Sequence, residues 1–249
     1  MLQVRDEVLD IQKYNENDID IKYENKEEKG LVSGGKLLAI NEKVKEASYL
    51  GVKRAFDFTA AFLGIILLSP LFLIIALAIK LDSKGTVFYK HKRIGKNGKT
   101  IYLYKFRSMY SDSKQQLEKL LEDPKIRKKW EESYKIENDP RVTRVGKILR
   151  KLSIDELPQL INILIGNMSI IGPRPVIDGE IEKYKENKEK FLSVKPGLTG
   201  WWACNGRSRA NYDERILLEL YYVDHKSISL DLKCFFKTIV SVLKKEGAM

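Results

Sequence analysis

The stretch "FTAAFLGIILLSPLFLIIALAIK", Phe58–Lys80, decides the fold. It carries no charge from Phe58 to Ile79. As a helix rising about 1.5 Å per residue it reaches about 33 Å, enough for a bilayer core of about 30 Å. Ser69-Pro70 stands in its middle. Pro70 has no N–H and its ring meets the Ile66 carbonyl, so a kink is expected there, and the Ser69 hydroxyl can serve the freed carbonyl. Lys43, Lys45, Lys53 and Arg54 precede the run; Lys80, Lys84, Lys90, Lys92 and Arg93 follow it. Because Lys and Arg are retained on the cytoplasmic side, both ends are expected on one face. The favoured reading is a re-entrant helix-break-helix whose Ser69-Pro70 elbow dips into one leaflet. The competing one is a kinked helix that spans.

The other parts of the 249-residue chain are strongly charged, with a formal net charge of +11. Such an excess favours polyanions: nucleic acid, nucleotide phosphates or anionic headgroups. The apolar run makes lipid the first choice, and no nucleic-acid-binding motif appears. Cys204 and Cys234 form no Cys-x-x-Cys pair and read as packed thiols of a reducing compartment. The apolar run starts late and lacks a small-residue cleavage site, so no cleavable signal is expected.

The fold class reads as α+β, mostly helical. Residues 1–47 are polar and are expected to form a weakly ordered arm. Residues 48–84 hold the membrane segment, and 85–249 a compact cytoplasmic domain. From Gly85, two runs rich in Val, Tyr, Phe and Ile flank Gly-Lys-Asn-Gly and predict a small β-hairpin. Lys105 and Arg107 alternate on its second strand and so are expected to share a face. A charged helix follows, broken near Pro124, then helical spacing from Arg144 to about Gly166 with a break at Pro158. "GPRP" from Gly172 and "KPGLTG" from Lys195 read as rigid loops. From Asp231, Leu232, Phe235, Phe236, Ile239, Val240 and Leu243 make one apolar stripe with lysines off it. This predicts an interfacial amphipathic helix or one packed on the core, and Asp231 suits its N-cap.

Chemistry points to "LRKLSIDELPQLINILIGNMSIIGPRP", Leu149–Pro175. Asp155 and Glu156 are adjacent, so on a helix they point about 100° apart and suit different tasks. One can attack phosphorus as a covalent nucleophile while the other holds Mg²⁺, a cation suited to one carboxylate plus substrate phosphates. Arg174, locked between two prolines, reads as a preorganised phosphate clamp, and Arg150 can neutralise a second phosphate or pair with the dyad. The plainer reading is a helix-start acid pair and a surface arginine.

"KRAFD" at Lys53, the Ser-Pro apolar segment, "YKFRSM" at Tyr104, "SIDELPQL" at Ser153, "GNMSIIGPRP" at Gly166 and "KPGLTG" at Lys195 occur in this order. Together they resemble the bacterial sugar transferases, the small monotopic polyprenol-phosphate phosphoglycosyl transferases, from about Tyr49 onward. The resemblance implies transfer of a sugar-1-phosphate from a UDP-sugar to undecaprenyl phosphate, with release of UMP, as the initiating step of surface polysaccharide or glycoconjugate synthesis. It implies a re-entrant helix at the inner leaflet of the bacterial cytoplasmic membrane and a phosphoglycosyl transferase catalytic domain over 85–249. It also implies a nucleophilic Asp155, Mg²⁺ on Glu156 with help from Asp231, and phosphate contacts from Arg174, Arg150 and Lys105. Arg207, in "NGRS", is expected to touch the nucleotide. Lys53 and Arg54 are expected among the headgroups, holding topology at least as much as touching substrate.

His91 stands where the family often has Gln, and "TGWWACNGR" replaces "TGWAQVNGR", so Ala203 takes a polar position. His91 and His225 read as surface or structural histidines, and Asp224 is a weaker candidate than Asp231. The alternative function is a non-enzymatic basic scaffold of a polysaccharide assembly complex on anionic lipid. It explains the charge and the apolar run, but not Asp-Glu followed by Gly-Pro-Arg-Pro. The sugar, the downstream polymer and any homo-oligomer stay open.

Overall fold

A computed structural model of the chain describes residues 32–133, 136, 138–205 and 210–243. In order come α1 (Val32–Asp82), β1 (Phe88–Ile94), β2 (Thr100–Phe106), α2 (Ser113–Leu120), α3 (Pro124–Ser133) and α4 (Arg144–Lys151). A 3₁₀ turn (Ile154–Glu156) leads to α5 (Gln159–Ile165) and β3 (Ser169–Ile171). Then follow α6 (Asp178–Ile181), α7 (Lys188–Leu192), β4 (Gly197–Thr199), α8 (Trp201–Asn205), α9 (Tyr212–His225) and α10 (Ile228–Leu243). The fold is mostly helical, as expected from the sequence, with two small sheets, of which the sequence led us to expect the hairpin alone.

Helix α1 holds the apolar run and is the one described helix long and apolar enough to cross a membrane, with only 11% of its most apolar stretch buried. Leu67 and Leu81 are each 79% exposed and Leu73 is 72% exposed. The helix runs through Pro70. Ser69 donates to the Ile66 carbonyl at 2.8 Å, the carbonyl whose partner the proline removes. Its start at Val32 lies inside the stretch read as a polar arm.

The described residues fall into two compact units. The first draws on residues 32–62, 92–101, 162–205 and 210–243, the second chiefly on residues 63–91 and 102–161. The core of the first is Val176, Ile181, Tyr184, Phe191 and Leu220. That of the second is Ile75, Ile79, Phe106 and Leu149, so the end of α1 is itself core there. Phe72 meets Phe106 edge-on, with ring centres 5.3 Å apart.

β1 and β2 pair as the expected hairpin, turned at Gly95–Gly98 with Asn97 left-handed at φ 57°. β2 ends at Phe106, so Arg107 does not share a strand face with Lys105. Its guanidinium is buried and donates to the carbonyls of Ile79, Ser83 and Lys84 and to the hydroxyls of Ser83 and Ser111. These satisfy backbone acceptors left over where α1 ends. The break at Pro124 separates α2 from α3, and the helical stretch after Arg144 is interrupted before Gln159.

"GPRP" and "KPGLTG" prove to be one structure. β3 and β4 pair in parallel, Ser169 opposite Gly197 and Ile171 opposite Thr199. Gly172 N–H donates to Thr199 at 2.9 Å and Gly197 N–H to Pro173 at 2.8 Å. A Cβ on Gly200 would sit 2.0 Å from the Gly172 carbonyl oxygen, and one on Gly172 2.6 Å from that of Lys195. Only glycine allows so close a backbone approach. α10 begins at Ile228, earlier than expected; Ser227 Oγ accepts from Leu230 N–H, so Asp231 lies in the first turn and is not the cap.

Candidate active site

Within the second unit, α4 ends at Lys151 and Ser153 takes a left-handed conformation, φ 57°. This turns the chain abruptly into the 3₁₀ turn that carries Asp155 and Glu156. Lys105, near the end of β2, donates to Glu156 Oε1 at 2.6 Å. Asp155 is half-buried. Burial pushes its carboxyl above the usual range; the Lys105 cation pulls it back, Glu156 pushes it further up, and the Arg150 cation again pulls down, leaving it raised. Thus one acid of the dyad is held by a lysine while its neighbour is a proton-avid carboxylate in a cationic field. Such environments are typical of functional carboxylates.

Arg150 is placed by its Nε, which donates to Ser108 Oγ at 2.9 Å. Ser108 is fixed in turn: its carbonyl accepts from Thr143 N–H, while Met109 and Val142 form a bridge. The Asp139–Arg141 pair locks that loop. Arg141 Nε and Nη2 grip Asp139 at 2.8 and 2.6 Å, both residues buried. Burial raises the Asp139 carboxyl, yet the hydrogen bonds and charge of Arg141 outweigh it and leave it lowered. Neither residue stood out in the sequence.

Arg174, Lys53, Arg54 and Asp231 belong to the first unit. Arg174 stacks over the Trp202 ring at 5.6 Å. Asp231 accepts from Lys53 at 2.7 Å, Tyr49 at 3.0 Å and Tyr222 at 2.6 Å. Burial and then the Asp231 charge push both phenols up, keeping them protonated donors. Arg54 donates to the carbonyls of Ile163 and Leu164 at 2.6 and 2.8 Å, capping α5. Buried Asp57 accepts from Ile170 N–H at 2.9 Å. The charged residues of "KRAFD" are therefore committed to protein contacts that dock α1, a task the headgroup reading did not contain.

Arg207 lies outside the described residues. Asp224 makes a surface pair with Lys190, and His225 stacks on Tyr221. His91 lies beside Tyr89, with ring centres 5.8 Å apart. Sequence reasoning passed over Glu219 and Arg215, which form a pair on the buried face of α9. The signal available was their i, i+4 spacing within an otherwise apolar stretch.

Among the described residues, no three His, Cys, Asp or Glu side chains converge on a metal position. Mg²⁺ needs no such cage; one or two carboxylates with substrate phosphates and water suffice, and the Glu156 carboxylate is a donor of the kind that demand calls for.

The family model described as bacterial sugar transferase matches residues 48–245. The undecaprenyl-phosphate galactose phosphotransferase of Salmonella typhimurium is 40% identical over 85% of this chain and 44% of its own length. The UDP-glucose:undecaprenyl-phosphate glucose-1-phosphate transferase of Escherichia coli is 40% identical over 76% of this chain and 39% of its own. The exopolysaccharide production protein ExoY of Sinorhizobium fredii is 44% identical over 79% of this chain and 87% of its own. The chain thus spans less than half of the first two relatives and most of the third. A family pattern running from residue 48 to 245, and a relative matched over most of its length, lead to one conclusion: this chain belongs to the bacterial sugar transferase family.

Proposed function

We propose that this protein moves a sugar-1-phosphate from a UDP-sugar to undecaprenyl phosphate, releasing UMP, and so initiates a surface polysaccharide or glycoconjugate. The observation that carries the reading is the environment of Asp155: a half-buried carboxyl with raised proton affinity beside Lys105 and Arg150. The names of the Salmonella and Escherichia relatives supply the two substrates.

In the first step, a carboxylate oxygen of Asp155 attacks the phosphorus that bears the sugar. The bond from that phosphorus to the bridging oxygen breaks, and UMP leaves with the electron pair. In the second, a phosphate oxygen of the lipid attacks the same phosphorus and the Asp155 carboxylate departs unchanged. Burial makes Asp155 the more basic, hence stronger, nucleophile once ionised, while Lys105 and Arg150 favour the ionised form. Lys105, Arg150 and Arg174 hold phosphate oxygens; Arg's planar fork suits this task. Glu156 is the proposed Mg²⁺ ligand, the ion supplying charge to the phosphate oxygens when bound. Asp231 is the further ligand that the family resemblance suggests.

The membrane reading is also a proposal. The exposed apolar face of α1 enters the inner leaflet and turns back at Ser69-Pro70, leaving the catalytic domain cytoplasmic. On α10, Leu232, Phe236, Ile239 and Val240 are exposed while Cys234 is buried, which suits a helix packed on one side and lying in the interface on the other. Pro70→Ala is expected to straighten α1 into a spanning helix. A single cysteine at Lys45, with Cys204 and Cys234 replaced by serine, should then become accessible to an impermeant thiol reagent outside the cell membrane. Equal labelling with and without the proline would contradict re-entry.

The activity is tested by UMP release from a panel of UDP-sugars with undecaprenyl phosphate, with and without Mg²⁺. The expected result is release with at least one donor, ping-pong kinetics and loss of activity on chelation. No release with any donor would overturn the assignment.

A further inference from the structure

In Pro173-Arg174-Pro175 the two prolines have no N–H, so Arg174 carries the only backbone donor of the triplet. That donor goes to Glu219 Oε1 at 3.0 Å. Glu219 is 1% exposed. The Tyr184 hydroxyl donates to its other oxygen, and Arg215 Nε lies 3.4 Å from both. Arg215, also buried, sits over the Trp202 ring at 5.0 Å, the ring over which Arg174 lies at 5.6 Å. Gly197 N–H holds the Pro173 carbonyl. The phosphate-clamp arginine is thus gripped through its backbone and through its side chain.

A buried carboxylate with an arginine partner is an expensive way to fill a core, since apolar residues of similar volume often serve stability as well or better. What apolar residues cannot do is accept the Arg174 N–H. We infer that Glu219 is a positioning residue for the donor-binding step, fixing Arg174, with Trp202 as the platform for its guanidinium and Arg215 and Tyr184 as the groups that hold Glu219. This rests on the proposal that Arg174 binds a phosphate of the UDP-sugar. A residue preceding proline is already restricted in ψ; the amide anchor removes the remaining freedom, so little ordering is left for substrate to impose.

The test compares Arg215→Met/Glu219→Leu with Arg215→Met/Glu219→Gln. Both remove the buried charges, and they differ in whether an acceptor faces the Arg174 amide. Donor KM and kcat are measured with undecaprenyl phosphate, alone and in an Arg174→Ala background, alongside the melting temperature. The leucine pair is expected to raise donor KM about tenfold over the glutamine pair at a similar melting temperature. In the Arg174→Ala background that difference should vanish. Equal KM for the two pairs, or an undiminished difference without Arg174, would overturn the inference while leaving Arg174 as a ligand. An Arg174→Ala protein with unchanged donor KM would instead overturn the clamp reading. If the leucine pair does not fold, Tyr184→Phe loosens Glu219 more gently. A donor KM about threefold higher, only when Arg174 is present, supports the inference, and an unchanged KM refutes it.

Discussion

Asp155→Asn is expected to abolish turnover and, at neutral pH, to make the protein more stable. Loss of a covalent nucleophile should lower kcat by at least about 10³-fold, the scale on which nucleophile substitutions act in other covalent enzymes. The stability gain follows from the raised carboxyl of Asp155. A raised folded-state value means that the native protein binds the proton more tightly than the unfolded chain, whose aspartates titrate near about 3.9. Below that pH both states are protonated and the position carries no penalty. As pH rises through the unfolded value and on through the folded one, the native state loses stability relative to the unfolded chain, and above the folded value the cost is complete. Asparagine carries no charge and escapes it. The melting temperature of Asp155→Asn should therefore exceed that of the wild type at pH 7 and converge with it near pH 3.5. A variant that melts lower at pH 7, or a gap independent of pH, would show that Asp155 is not a strained carboxylate.

Asp231→Asn should act in the opposite direction on stability. Asp231 is the common acceptor for Lys53, Tyr49 and Tyr222, joining α1, α9 and α10. The side chains of Lys53 and Asp231 are 14% and 15% exposed, so removal of the acid leaves a cation with little water to replace it. Breaking a buried pair from one side costs about 3 kcal/mol or more. For a chain of this size that is a fall of about 10 °C in melting temperature. Lys53→Met/Asp231→Leu, which removes both charges, should recover much of the loss. The same variants test the metal proposal. If Asp231 assists Mg²⁺, the Mg²⁺ concentration for half-maximal activity rises when it is replaced; if docking α1 is its whole task, melting falls and the Mg²⁺ response stays put. Unchanged melting would contradict the docking role.

Local pattern carried much of this far. Two β-rich runs around Gly-Lys-Asn-Gly fold as the expected hairpin, and Pro124 separates two helices, because turn chemistry acts over a few residues. Ser69 finds the Ile66 carbonyl for the same reason. Long-range partners were not legible. "GPRP" and "KPGLTG" each read as a loop, and nothing local shows that Ser169–Ile171, just before the first, pairs as a strand with Gly197–Thr199 inside the second. Arg107 looked like a basic residue on a strand face, whereas it is the buried cap of α1, a role set by where the chain returns. Glu219 and Arg215 were hidden by the habit of placing charges outside; only the fold reveals that a backbone amide needs that acceptor. Asp231 seemed a cap because the helix start at Ile228 was missed. Residues 1–47 read as an arm from their polarity; the described part, from Val32, is helical and continuous with the apolar run.

The most direct measurement is mass spectrometry of the protein incubated with its UDP-sugar donor and Mg²⁺ before any lipid is added, followed by rapid acid quench and proteolysis. A mass increase equal to one phospho-sugar is expected on the peptide carrying Asp155, lost on addition of undecaprenyl phosphate and absent from Asp155→Asn. Lipid-linked product formed at the normal rate with no adduct on that side chain, under conditions that preserve acyl phosphates, would contradict the covalent route.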